Sequence, residues 1–160
     1  GDSETNLMER TLVIIKPCAV QRGLIGEVLS RFERRGLKLV AMKMTRLDAE
    51  ICRRHYAHLA DKPFYPIIEE SMTAAPVVLC CMEGIDAVEV VRTMAGATNG
   101  RKALPGTIRG DYCVSHQENI IHASDSLESA AQELERFFKP EDYCSYDTPL
   151  LDYLYAKDEL

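Results

Sequence analysis

In the stretch NIIHASDSLESA (residues 119–130), His122 sits where an apolar run gives way to small polar residues and a helix start. Imidazole has a reference pKa near ~6.5, so it is mostly neutral at pH 7 and able to act as a nucleophile or an acid–base group. A helix beginning directly after it offers free N–H groups and partial positive charge, which suits a bound phosphate. The same fragment also fits a histidine simply satisfied at a strand end. Groups that could hold an anion lie elsewhere in the chain. Lys16 closes an apolar run before KPCAVQRG, while Arg92, Thr98, Arg101, Lys102, Thr107 and Arg109 crowd a glycine-punctuated stretch. Any one of these is ordinarily a solvated surface group, but the cluster stands out in an acidic chain. There is no G-x-x-x-x-G-K-[ST], so phosphates would be held by side chains and metal and not by a backbone cradle.

Two other groupings are weaker. Cys52, His55 and His58 are spaced by three, but that spacing drifts around a helix, and Cys52 and His55 fall on its apolar stripe, against a metal site. His116 has no evident partner and reads as surface. The six cysteines include no C-x-x-C pair, and we read them as reduced thiols of an intracellular protein. Cys80 and Cys81 should point to opposite faces of a strand.

At 160 residues the chain suits one domain, and 46% apolar with 28% charged residues is ordinary for a globular protein. A net charge of -6 disfavours polyanion binding without a local basic patch. No stretch approaches the roughly 20 apolar residues that span a bilayer, and GDSETNLMER lacks a signal-peptide core. The expected domain is 8–160, with Met8 a possible natural start and 1–7 a disordered arm or appended remnant. The terminal KDEL acts as an address only in the secretory pathway. Six free thiols favour coincidence and a cytoplasmic location.

Positioning these groups requires a sheet. TLVIIK (11–16), LKLVAMKM (37–44) and APVVLCCM (75–82) read as strands, the third fully apolar and therefore central. Ile25, Val28, Leu29 and Phe32 form a helical stripe closed by Gly36. Asp48 can cap a helix carrying Ile51, Cys52, His55 and Leu59. A short helix fits Ile67 to Met72. Asp86 with Glu89 and Asp125 with Glu128 are capping-box patterns for two more helices. DYCVS and ENIIH supply a fourth strand region, in which Ile120 and His122 share a face. The order is β-α-β-α-(α)-β-α-loop-β-α, an α/β sandwich with helices on one sheet.

NIIHASDS resembles the active-site signature of nucleoside diphosphate kinases, N-x-x-H-G-S-D-S. TLVIIKP with AVQRGLIGEV, HYAHLADKPFYP, VVRTMAGATNG and PGTIRGDY match that family in order and spacing, from about Arg10 to about Phe138. The resemblance implies a ferredoxin-like βαββαβ fold with a four-stranded antiparallel sheet. It implies ping-pong transfer of a γ-phosphoryl group from a nucleoside triphosphate through a histidine to a nucleoside diphosphate, with Mg²⁺ as cofactor and a homo-oligomer, hexamer or tetramer. Carried onto this chain, His122 becomes phosphorylated and Glu133 bonds its other ring nitrogen. Lys16, Arg92, Thr98, Arg109 and Asn119 match nucleotide-binding positions. Tyr56 would bond toward the γ-phosphate or the histidine, and Ser124 supports Glu133. Tyr65 takes the place of a stacking phenylalanine.

Ala123 departs from the family's glycine, and a positive φ there would cost about 1 kcal/mol. Cys18 stands where aspartate is common. The competing reading is a non-catalytic module that senses nucleotide in the same cleft or binds nucleic acid on the sheet. The intact His122 and Glu133 disfavour its first form. The acidic balance, with no paired strand aromatics, disfavours its second.

Overall fold

The computed structural model describes residues 8–160, so the expectation for residues 1–7 lies outside the described residues. Strand β1 (Met8–Ile15) runs into a short helix, α1 (Pro17–Gln21), which Pro17 starts where no amide hydrogen is needed. Helix α2 (Ile25–Arg35) buries Val28 and Phe32. It ends at Gly36, whose φ of 99° lets the Gly36 and Leu37 amides close back on Glu33 and Phe32. Strand β2 (Lys38–Thr45) follows, then α3 (Ala49–His55), capped by Asp48, which accepts from the Ile51 amide at 2.8 Å. Helix α4 (Tyr65–Thr73) leads to β3 (Val77–Ile85), α5 (Ala87–Ala95) and α6 (Ile108–Tyr112). Strand β4 (Ile121–Ala123) is only three residues long and feeds α7 (Leu127–Phe137).

The strand order is β2-β3-β1-β4 and every neighbouring pair is antiparallel, the ferredoxin-like arrangement. β1 and β3 are central, as the unbroken apolar run of β3 requires. Helices cover both faces. Val13, Ile15, Cys80 and Met82 pack with α2 and α5, while Leu12, Ile14, Leu79 and Cys81 pack with α3, α4 and α7. Adjacent Cys80 and Cys81 thus enter opposite cores, and all six cysteines are free thiols. Among the described residues no helix is long and apolar enough to cross a membrane.

Several local expectations are corrected. Asp86 makes no side-chain cap and has φ 55°, a left-handed backbone and not the extended conformation of a capping residue. The cap of α7 is Ser126, accepting from the Ser129 amide at 3.0 Å, because Asp125 is engaged by Arg92 instead. Asp111 to Ser115 is not a strand: α6 occupies its start, capped by Thr107, whose hydroxyl accepts from the Gly110 amide at 3.0 Å. Ala123 is not among the residues with positive φ, so the alanine carries no backbone strain there. The strained residue is Ile120, at φ 75°. The Ile121 amide reaches back to the Asn119 carbonyl at 2.9 Å, a γ-turn, a strained form for a β-branched residue. That turn breaks the alternation, so Ile120 joins Ile121 in one core while His122 faces the other.

Candidate active site

β4 pairs with β1 so that His122 lies opposite Ile14 at the end of the sheet, and α7 turns back over it. Glu133 on α7 thereby holds His122 Nε2 with both oxygens, at 3.0 and 3.1 Å. Ser124 donates to Glu133 Oε1 at 2.7 Å and accepts from the Leu12 amide at 3.2 Å, tying the carboxylate to β1. Burial would raise the Glu133 pKa, but the hydrogen bonds from His122 and Ser124 outweigh it and hold the group below the usual carboxylate range. An ionised carboxylate only accepts, so Nε2 of His122 carries a proton, and in the neutral ring the lone pair is then on Nδ1. Among the described residues Nδ1 has no hydrogen-bond partner.

The cleft in front of this pair has a volume of about 920 Å³. Lys16, Tyr56, Arg92, Thr98, Arg109 and Asn119 all line it, together with His122 and Glu133. Lys16 is buried, its ammonium donating to the Gln117 carbonyl at 2.6 Å and to Asn119 Oδ1 at 2.9 Å. Desolvation lowers its pKa to about 8. Asn119 also donates to the Thr98 and His116 carbonyls at 3.1 and 3.0 Å, drawing the loops around the cleft together. Arg109 donates to the carbonyls of Asn119, Gly96 and Ile121 at 3.1, 2.9 and 2.7 Å. It clamps both sides of the γ-turn and still keeps two of its five N–H groups for another acceptor. Arg92 is exposed and pairs with Asp125 at 2.5 Å. Tyr56 stands with its ring 6.5 Å from that of His122, and burial raises its pKa, so its hydroxyl stays neutral and can donate.

Three expected residues, Tyr65, Thr107 and Lys102, do not line the cleft, whereas Phe64 and His55 do. Tyr65 is 2% exposed in the core against α3, and its hydroxyl donates to Glu69 at 3.2 Å. The adjacent Phe64 is 48% exposed and faces the cleft, because α4 begins at residue 65 and turns its first side chain inward. Thr107 is a helix cap, occupied with Gly110 and Leu104. Arg101 lines the cleft, whereas Lys102 does not. His116, expected at the surface, is exposed on the cleft rim. His55 is buried with its ring 4.5 Å from that of His122, while Cys52 enters the core and His58 is exposed, so the spacing-of-three grouping does not converge. Its apolar-stripe position hid His55, since that pattern reads as core.

The site can therefore present the Nδ1 edge of an oriented imidazole beside buried cations and an exposed aromatic face. Known proteins share the chain's pattern. The family described as nucleoside diphosphate kinase matches residues 9–143. The chain is 60% identical over 152 residues to the nucleoside diphosphate kinase of Parabacteroides distasonis, covering 95% of this chain and 99% of that protein. It is 55% identical over 144 residues to that of Pyrococcus furiosus, covering 88% and 89%. Its structure is similar to that of a halophilic nucleoside diphosphate kinase from Halobacterium salinarum in complex with CDP. The TM-score there is 0.90 at 41% identity, covering 92% of this chain and 98% of that one. With the family pattern covering most of its length, the chain belongs to the nucleoside diphosphate kinase family.

Proposed function

We propose that the protein, acting through residues 8–160 as a single domain, transfers the γ-phosphoryl group of a nucleoside triphosphate to a nucleoside diphosphate through a phosphohistidine on His122. The observation that carries this reading is the contact of both Glu133 oxygens with His122 Nε2: the ionised carboxylate accepts from Nε2–H, and the Nδ1 lone pair of the neutral ring is left for attack. In the first half-reaction Nδ1 bonds to the γ-phosphorus, and the bond from that phosphorus to the β–γ bridging oxygen breaks. Its electron pair departs on the nucleoside diphosphate. In the second, the terminal oxygen of another nucleoside diphosphate takes the phosphoryl group and the lone pair returns to Nδ1. Such a transfer needs alignment and charge neutralisation more than covalent help, and Lys16, Arg92 and Arg109 supply it.

The base would stack on Phe64 beside Leu59 and Ile67, all of which line the cleft. Stacking accepts any base, since each offers a π face. The relative from Halobacterium salinarum was solved with CDP, which fits a nucleoside diphosphate in this cleft. Mg²⁺ would enter on the nucleotide. The carboxylates lining the cleft, Asp125 and Glu133, are held by Arg92 and by His122 with Ser124, which fits an ion carried by phosphates. When bound it neutralises phosphate charge.

A homo-oligomer, hexamer or tetramer, in the cytoplasm completes the reading. β2 is an edge strand with Met42 and Met44 53% and 58% exposed, an apolar edge suited to a second copy. Sedimentation should give a multiple of the 18.0 kDa chain mass.

The decisive experiment is incubation with γ-labelled ATP. The wild type should carry acid-labile, alkali-stable label that added GDP removes as GTP, and His122→Ala should carry none. Equal labelling of both proteins overturns the assignment.

A further inference from the structure

His55 ends α3 and is 6% exposed, yet it lines the cleft at His122. Its ring stands at 79° to that of His122, edge to face. Nδ1 of His55 lies 3.1 Å from Nη1 of Arg136 on α7. A guanidinium has no acceptor, so the arginine donates and Nδ1 supplies the lone pair. The proton of a neutral ring must then be on Nε2. That buried Nε2 has no hydrogen-bond partner. An unpaired buried donor destabilises the fold, and this chain carries one beside the histidine read as reacting.

One ring nitrogen of His55, one of His122 and one oxygen of Glu133 lie within 4.8 Å of one another. Such a triad resembles a metal site, but the tautomers oppose it. His122 Nε2 bears the proton that Glu133 accepts, His55 Nδ1 is occupied by Arg136, and His55 Nε2 then bears the proton. A metal ligand needs a free lone pair, and of the four ring nitrogens only His122 Nδ1 keeps one. What the cluster offers is an N–H donor, and its complement is an anionic oxygen.

We infer that His55 is a further catalytic residue, whose Nε2–H donates a hydrogen bond to an oxygen of the phosphoryl group carried by His122. This rests on the phosphohistidine reading proposed above. The donor is uncharged, because burial and the neighbouring His122 push its pKa down to about 3. It therefore stabilises the phosphoryl oxygen without adding repulsion toward Lys16 and Arg109. Arg136 acts through His55, as the group that sets its tautomer.

The test uses wild-type protein labelled with ¹⁵N, observed by long-range proton–nitrogen correlation before and after phosphorylation with ATP. We expect His55 in the Nε2–H tautomer, and a downfield shift of that proton when His122 is phosphorylated. An Nδ1–H tautomer, or a proton unmoved by phosphorylation, overturns the inference. In single-turnover experiments His55→Leu should slow phosphoenzyme formation on the order of 10²-fold, the cost of losing one oxyanion donor, with apparent ATP affinity unchanged. His55→Gln, which keeps an N–H, should recover much of that rate. Leu and Gln variants equally slow, or a Leu variant as fast as wild type, count against the donor. If the leucine variant does not fold, the wild-type spectra decide. Failure of the wild type itself to take up label refutes the phosphohistidine reading, whereas labelling with an unmoved His55 proton refutes only this one.

Discussion

Glu133 grips Nε2 of His122 with both carboxylate oxygens, at 3.0 and 3.1 Å, from a helix that starts four residues after the histidine's strand ends. The contact orients the ring and selects its tautomer, and Ser124 holds the carboxylate in turn. Glu133→Gln keeps the shape but can offer an N–H where the ring also donates. Its kcat should fall by up to about 10⁴-fold, the loss seen when the carboxylate orienting a catalytic histidine becomes an amide. Steady-state kinetics should show KM little changed. A large KM change with intact kcat would show a binding role instead.

Phe64 and Tyr65 should separate cleanly. Phe64→Ala removes the exposed aromatic face and should raise KM for purine and pyrimidine nucleotides alike. Loss of one stacked base costs about 1–3 kcal/mol, or roughly 5–150-fold in affinity. Tyr65→Phe removes only a hydroxyl bonded to Glu69 and should leave every KM at its wild-type value. Its effect should appear in stability.

Lys16 predicts the alkaline side of the pH profile. Desolvation lowers its pKa to about 8, so the ammonium is charged below that pH and lost above it. Since kcat/KM reports the free enzyme, it should fall as pH rises through about 8. Bound phosphates favour the charged form, so the corresponding limb in kcat should lie at higher pH. Coincident limbs would assign the titration to another group.

His55 predicts an acid-sensitive fold. Its pKa is lowered from 6.5 to about 3 by burial first, then by His122, with Arg136 and His58 acting in the same direction and Glu133 opposing. Between those values the unfolded chain binds a proton that the native chain refuses, so stability falls as pH drops through that window. The loss from this group is about 3 kcal/mol between pH 7 and pH 4. Urea denaturation across that range should show it, and His55→Leu should lose correspondingly less. Equal pH dependence in both proteins would remove His55 as the cause.

Ala123→Gly should not improve the protein. Ala123 lies in β4 without positive φ and is 7% exposed, so glycine gains no conformational relief and adds chain entropy. Chemical denaturation should find the variant about 0.5–1 kcal/mol less stable.

Much of this was legible in the residues themselves. Strand and helix periods lie within the chain, so β1, α2 with its Gly36 stop, the Asp48 cap and the central β3 could all be read locally. The spacing of His122, Ser124 and Glu133 across a strand–helix joint carries the core of the site, because helix geometry converts eleven residues of separation into a contact. What depends on distant partners was out of reach. Whether Phe64 or Tyr65 faces the cleft depends on the phase at which α4 starts, and one residue reverses it. Asp125 fails to cap α7 because Arg92, thirty-three positions away, competes for its carboxylate. The strain sits at Ile120 and not at Ala123, since Arg109 clamps the backbone on both sides of that turn. His55 shows the limit most sharply. Its sequence neighbourhood makes it a core residue, and only the packing of α3 against α7 sets its tautomer and brings it beside His122.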